Sequence, residues 1–341
     1  MSPGTRGRFQ RLSLSSGEHN HSDGDGQCAS DRLAGWRMNV SVIENDLRVA
    51  VTGAGGYLGK NLCRYLKDRG VAVSQLTSNP VGIESTIPSA RFTLHHGAAK
   101  GFFAENKINA LIHAAYDFTP RTRRAIWDCN VKGSIDLFAQ ARVEGVKRII
   151  FISSMSAYDG CRSLYGSAKL EIENVLREMP GSCSIRPGLI YSTPLAESGG
   201  MVGSILQSLK RGVIPLIGNG QQKLYLSHID DLTRLIGSLI QDSQGQGESV
   251  IVAANPRPFA LRDIIQLLAE ATGGKKPNFV SVPWRLAWAG VRVLESAGVN
   301  TKFRSDSILS LVHQNPSPDF AAVPDGIVFR DFAAAIGSEK Q

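Results

Sequence analysis

The sequence predicts an α/β fold, a doubly wound parallel sheet of about seven strands with a smaller C-terminal substrate-binding part. Three observations carry that reading. Short β-branched runs alternate with helical patterns between Leu47 and Arg186, the order that strand-helix-strand units take in a parallel sheet. The first run, LRVAV, leads into Thr52-Gly53-Ala54-Gly55-Gly56-Tyr57-Leu58-Gly59 and then into a helical pattern. Later strands end in small or hydroxyl residues, Ala114-Ala115 and Ser153-Ser154, at the sheet edge where such folds place their ligands.

Composition is compatible with a sizeable core: 341 residues, 42% of them apolar, make one large domain or two modest ones. The formal charge of +8 is spread along the chain, without the basic blocks and interleaved aromatics of a nucleic-acid binder, and favours anionic small ligands. Five cysteines, Cys28, Cys63, Cys129, Cys161 and Cys183, are scattered without metal-ligand spacing, so no metal is expected and a reducing cytoplasm fits. Cys161 reads as an ordinary thiol. Residues 1–45 are polar and lack a secretory apolar run, and are expected to be a disordered extension. Arg6, Arg8 and Arg11 only faintly suggest a transit peptide, and Met38 is an alternative start. No window reaches the ~18 uninterrupted apolar residues of a membrane span.

In order along the chain, Gly53, Gly56 and Gly59 let the backbone turn tightly, approach a pyrophosphate and pack the following helix close to the strand. The N–H groups at that helix start, with Tyr57 and Leu58, would face the phosphates, the signature of a dinucleotide site in a Rossmann-like sheet. The second strand, Val71 to Leu76, ends at Thr77-Ser78, without the acid that binds the ribose diol of NAD. Thr77 and Ser78, helped by Arg64 or Lys60, must serve there, which leans toward NADP over NAD. A third strand is expected over Arg91 to Leu94, followed by His95-His96, which point to opposite faces and make no metal pair. Asn109 to His113 reads as the fourth strand, with Ala114 and Ala115 leaving room for a flat cofactor or simply packing tightly.

A long helical region carrying Trp127, Asn130, Ile135 and Phe138 follows Thr119-Pro120 and stops at Gly145. The strand Arg148 to Ile152 then delivers Ser153 and Ser154. Tyr165 and Lys169 open the next helix, one turn apart on one face, so that an ammonium would lower the phenol's pKa and make it a usable acid and base. The pair alone is a weak signal; its place after strands ending on one edge gives it weight. Ser182 to Arg186 is the sixth strand and leads to Pro187-Gly188. Residues 192–222, with Gly199-Gly200 and Gly218-Asn219-Gly220, look like a mobile substrate lid. His228, before Asp230-Asp231, reads as structural, and Ser249 to Ala253 as the last strand. One face of a helix is lined by Leu261, Ile264, Ile265 and Leu268, and the stretch Pro283 to Leu294, with Trp284 and Trp288, is expected in the core. The expected organisation is therefore 46–190 as nucleotide-binding core completed near 249–253, 191–335 as substrate part, and 336–341 as tail.

Thr52-Gly53-x-x-Gly56-x-x-Gly59, Ser154, Tyr165-x-x-x-Lys169 and Arg186-Pro187-Gly188, in that order, resemble the extended short-chain dehydrogenase/reductase family, nearest its NAD-dependent epimerase/dehydratase branch. The resemblance implies catalytic roles for three residues: Ser154 orients a carbonyl or hydroxyl, Tyr165 exchanges the proton, and Lys169 holds the nicotinamide ribose. It also gives Pro187 a cofactor contact and Asn130 a structural or proton-relay role. The implied activity is hydride transfer to or from a sugar-like carbinol or ketone, with an anionic nucleotide sugar as substrate and a homodimer allowed. Met155-Ser156 stand where dehydrating members carry Asp-Glu, which disfavours dehydration, and the step of only eleven positions from Ser154 to Tyr165 leaves a short loop over the substrate. A reductase of a non-sugar carbonyl compound, and a catalytically silent NAD(P)-binding protein, remain the alternatives.

Overall fold

The computed structural model describes residues 46–80, 87–241, 250–274, 276–299 and 303–338. The expectation for residues 1–45 lies outside them. The first half alternates β1 (Arg48–Thr52), α1 (Tyr57–Lys67), β2 (Ala72–Thr77), β3 (Ser89–Arg91), α2 (Phe102–Glu105), β4 (Ala110–His113), α3 (Arg123–Ile126), a π-helical segment (Trp127–Lys132), α4 (Gly133–Val143), β5 (Arg148–Ile152), α5 (Leu164–Arg177) and β6 (Ser182–Pro187). The second half carries β7 (Leu189–Tyr191), α6 (Gly200–Leu209), β8 (Val213–Ile217), β9 (Lys223–Leu224), β10 (Leu226–His228), α7 (Ile229–Gln241), β11 (Val250–Ala253), β12 (Phe259–Ala260), α8 (Leu261–Ala271), β13 (Asn278–Val282), α9 (Trp284–Ser296), α10 (Ser305–Val312) and α11 (Phe332–Gly337).

Among the described residues the central sheet has seven strands in the order β11-β6-β5-β4-β1-β2-β3. Every pairing in it is parallel. The chain first winds outward from β1 to β3, then returns through β4 to β11, so the order reverses beside β1 and opens a crevice between the C-terminal ends of β1 and β4. Both faces of the sheet are covered. Val49, Val51, Ile112, Ile150 and Ile185 pack against α1 and α7 on one side; Ala50, Leu111, Ile149 and Phe151 pack against α4 and α5 on the other. Burial on both faces explains why these strands read as continuous apolar runs.

Five expectations shift. The third strand lies at Ser89–Arg91, two residues early: its ladder ends with Thr77, and Phe92 and Leu94 leave the sheet to pack into the core. Their alternation mimicked strand periodicity. The central helix is not one regular helix, because a π-helical turn holds Asn130, whose amide clamps Asp117. The stretch 192–222 contains α6 and an unforeseen strand, β8, paired with β13, while Arg262 Nε donates to the Asn219 carbonyl and Gly218 N–H to the Val282 carbonyl, tying down the Gly218-Asn219-Gly220 turn. Finally, α9 is not core: none of its residues is buried, and Trp284 and Trp288 are half-buried. At the C-terminus, the chain expected as tail from 336 continues α11, with Ile336 buried.

Candidate active site

The turn after β1 is built by backbone economy. Gly53 has φ +67°, and a Cβ there would lie 2.9 Å from the Ala115 nitrogen; at Gly59 it would meet the Gly53 carbonyl oxygen at 2.2 Å. Hence Gly53 lets β4 approach the turn, whereas Gly59 lets α1 pack onto it. A cleft of about 870 Å³ opens above. Gly53, Gly56, Thr77, Ser78, Ala114, Ala115, Ser154, Tyr165, Lys169 and Pro187 all line it. Tyr57, Leu58 and Gly59 do not: the Tyr57 ring packs on Gly199, Leu58 joins the core, and Gly59 serves helix packing. Of the two cations expected near the ribose, Lys60 lines the cleft and Arg64 does not.

The fold of the cleft fits a dinucleotide. Its glycine cradle would be filled by any Cβ at Gly53, and Ser153 Oγ, on the wall, is buried without a hydrogen-bond partner among the described residues. The end of β2 carries the hydroxyl of buried Thr77 and exposed Ser78, with no carboxylate there.

The start of α5 is fixed by three devices. Ser163 Oγ accepts the Gly166 N–H as N-cap, Asp306 accepts the Leu164 and Tyr165 N–H groups at 2.7 and 3.0 Å, and a Cβ at Gly166 would stand 2.2 Å from the Ser156 carbonyl oxygen. The helix is therefore pressed against the Ser154–Ala157 turn, which places Tyr165 in hydrogen-bond reach of the Ser154 hydroxyl. Lys169, 2% exposed, donates to the Ile152 carbonyl at 2.7 Å. Its ammonium lies 4.5 Å from the Phe151 ring centre, 5.1 Å from that of Tyr116 and 5.9 Å from that of Tyr165. So the structure brings Ser154, Tyr165 and Lys169 together.

The electrostatics differ from the simple expectation. Burial raises the Tyr165 phenol above its ordinary value, and the Ser154 hydrogen bond only opposes that. Burial also pulls Lys169 down to about 7, against the upward pull of Glu173. Glu173, fully buried, pairs with Arg186 through two hydrogen bonds of 2.9 and 2.6 Å. The ammonium is thus costly in this dry site, and an anionic ligand in the cleft would restore it.

Sequence reasoning missed Tyr116, Asp117 and Phe118. Tyr116 meets Tyr165 edge-on at 4.9 Å and Phe118 stacks on it at 5.8 Å. Their signal was position alone: they follow Ala115 on the ligand edge of the sheet. Together with Ser154, Tyr165 and Pro187, Tyr116 and Phe118 also border a second cavity of about 410 Å³, walled by Met155, Leu189, Met201, Leu224, Tyr225 and α10. The two cavities meet at Tyr165. Ser310 Oγ, in the wall of the second, is buried without a partner among the described residues. His228 is buried and bonded to Thr193 Oγ1, a structural role as expected, and Cys161 Sγ lies 3.5 Å from Ser167 Oγ.

Under the sheet edge, His113 bonds Thr52 Oγ1 at 2.7 Å and Ser134 Oγ at 2.9 Å, and burial with the Lys169 charge lowers its pKa to about 3. The unfolded chain takes up that proton below its ordinary value of 6.5 and the folded one does not. The contribution is therefore intact above pH 6.5 and lost as pH falls from 6.5 toward 3, at about 1.4 kcal/mol per pH unit. Urea unfolding of the wild type and of His113→Gln across that range should show the wild type losing stability more steeply; parallel curves would refute it.

Among the described residues no helix is long and apolar enough to cross a membrane, and no group of three or more His, Cys, Asp or Glu could hold a metal ion. The model of the NAD dependent epimerase/dehydratase family matches residues 49–253. A 4-hydroxy-2-methyl-3-oxo-4-farnesyl-3,4-dihydroquinoline-1-oxide ketoreductase of Stigmatella aurantiaca is 24% identical, the match covering 73% of this chain and 80% of that one. A 2-alkyl-3-oxoalkanoate reductase of Stenotrophomonas maltophilia is 23% identical, over 67% of this chain and 77% of the relative. The crystal structure of a UDP-glucose 4-epimerase with UDP-glucose from Thermotoga maritima superimposes with a TM-score of 0.59 at 19% identity, covering 78% of this chain and 97% of that one, a likeness of fold. With the family match spanning β1 to β11, this chain belongs to the NAD-dependent epimerase/dehydratase family, within the extended short-chain dehydrogenase/reductases.

Proposed function

We propose that this chain is an NAD(P)-dependent oxidoreductase that reduces the carbonyl of a largely apolar compound. The single observation carrying the reading is the second cavity: its wall is largely aromatic and aliphatic, and of its three charged residues, Lys223, Arg304 and Asp306, the last two are committed to the protein. Arg304 donates to the Phe118 and Pro120 carbonyls at 2.6 and 3.0 Å, and Asp306 caps α5. The lining's one arginine is spent in this way, which leaves the exposed Lys223 as its single cation for a nucleotide sugar's diphosphate. The two relatives named as reductases of oxo compounds support the same reading.

A nicotinamide bound in the cleft would supply the hydride. Ser154 holds the carbonyl oxygen, Tyr165 gives it a proton, and Lys169 holds the cofactor's ribose and electrostatically supports the phenolate left behind. Tyr116 and Phe118 keep water from the junction. Asn130 acts by fixing Asp117 in the wall. With Ser, Tyr and Lys assembled on one edge, a silent binding protein is disfavoured. Epimerisation of a nucleotide sugar is the second reading, favoured by the fold likeness to an epimerase solved with UDP-glucose.

The test offers purified protein NADPH or NADH with hydrophobic β-keto esters and, separately, UDP-glucose. Stoichiometric cofactor oxidation with the ketones is expected; interconversion of UDP-glucose and UDP-galactose without net cofactor change would install the second reading. The end of β2, lacking an acid, leads us to expect NADPH to be preferred. Ser78→Asp should then weaken NADPH by at least about tenfold through repulsion of its 2′-phosphate. An unchanged preference would mean that Ser78 does not face the ribose.

A further inference from the structure

We infer that α9 is a surface anchor for an anionic lipid bilayer. The helix WRLAWAGVRVLES is apolar around most of its circumference, yet none of its residues is buried. At 100° per residue, Trp284, Ala287, Trp288, Val291 and Glu295 share the side turned to the protein, where Trp284 meets His313 edge-on at 5.7 Å and Glu295 accepts two hydrogen bonds from Ser305 at the start of α10. The opposite side is also apolar. Leu286 and Val293 are 67% and 68% exposed, Leu294 and Val299 45% each, and Ala289 and Gly290 lie exposed between them. Val299 extends the patch because its N–H donates to the Leu294 carbonyl. A helix apolar on both sides belongs in a core or against something outside the chain, and a contiguous exposed patch of this kind marks a contact surface.

Charge selects what covers it. Arg285 and Arg292, seven residues apart, flank the outward face on one side and are both exposed. The helix has a single acid, Glu295, whose carboxylate accepts from Ser305 and lies 3.9 Å from the guanidinium groups of both Arg304 and Arg292, so that Arg285, over the Trp284 ring, is the flanking cation of α9 with no carboxylate of the helix beside it. A second copy of the chain laid on this face would bring four arginines together with no free carboxylate of α9 between them, which disfavours self-association. An anionic headgroup layer matches both parts: guanidinium groups at the phosphate level and Leu286, Val293 and Leu294 in the acyl boundary, the arrangement of an interfacial helix. The position is also useful. α9 packs on α10, whose Ser307, Ser310 and Leu311 wall the second cavity, and Arg121 from the Asp117–Pro120 side reaches the Glu295 and Val299 carbonyls. The anchor is thus one helix away from the place proposed for an apolar substrate.

The inference does not depend on turnover and is tested without it. Full-length protein is sedimented with phosphatidylcholine vesicles and with phosphatidylcholine–phosphatidylserine vesicles at low and high salt. Binding to the anionic vesicles alone, weakened by salt, is expected. Arg285→Gln and Arg292→Gln should each lower partitioning about fivefold, and the pair Leu286→Glu with Val293→Glu at least about tenfold. Unchanged melting temperature and NADPH binding in the variants show that folding is intact. Failure of the wild type to bind anionic vesicles, equal binding by the arginine variants, or a solution dimer that Val293→Glu dissociates would overturn it.

Discussion

Tyr165→Phe should lower kcat by about 10³-fold, close to 4 kcal/mol of transition-state stabilisation, while the Kd for NADPH changes less than about threefold. The hydroxyl lost is the one at the meeting point of the two cavities, hydrogen-bonded to Ser154 and set beside Tyr116 and Phe118. The ring kept is what those neighbours pack on, so the wall survives the substitution. Because burial raises the phenol rather than lowering it, Tyr165 is protonated at neutral pH, the state a reduction requires of its proton donor. Rapid measurement of single turnover, with cofactor affinity by fluorescence, separates the two effects. Activity undiminished in this variant would remove Tyr165 from the chemistry, whatever the fold.

Much of this site was legible from local pattern. The strand-glycine-helix unit of β1 and α1 is dictated by three spacings, and the clash distances at Gly53 and Gly59 show why no other residue serves there. Ser154, Tyr165 and Lys169 were legible because parallel strands deliver their following residues to one edge. What local pattern does not encode is long-range burial. The π-helical turn is tied to Asn130 reaching Asp117 across thirteen positions, and the phenol's pKa is raised by burial at a place where Tyr116 and Phe118 meet its ring, neighbours that sequence spacing did not connect to Tyr165. The same limit explains α9: Trp-rich periodicity announces an apolar face but not whether the chain covers it. Tyr57 illustrates a milder failure, since its place in the glycine motif suggested phosphate contact while its ring packs against Gly199.

Glu173→Gln should destabilise the protein by roughly 3 kcal/mol and shift the alkaline limb of kcat/KM to lower pH. Two consequences follow from one carboxylate. Glu173 is fully buried and grips Arg186 with both oxygens, so its loss leaves a guanidinium with only 15% of its side chain exposed and no equal partner. It also raises the Lys169 pKa, which burial has already brought to about 7. Removing that charge lowers Lys169 further, so its ammonium, present below its pKa and lost as pH rises through it, is forfeited earlier. If Lys169 works as a cation, activity at high pH falls before activity at low pH does. A purely structural Glu173 predicts the destabilisation without the pH shift. The double variant Glu173→Gln with Arg186→Met separates the two further: removing both charges should restore much of the stability, because the stranded guanidinium is the main cost, yet the alkaline limb should stay displaced because Lys169 still lacks its counter-charge.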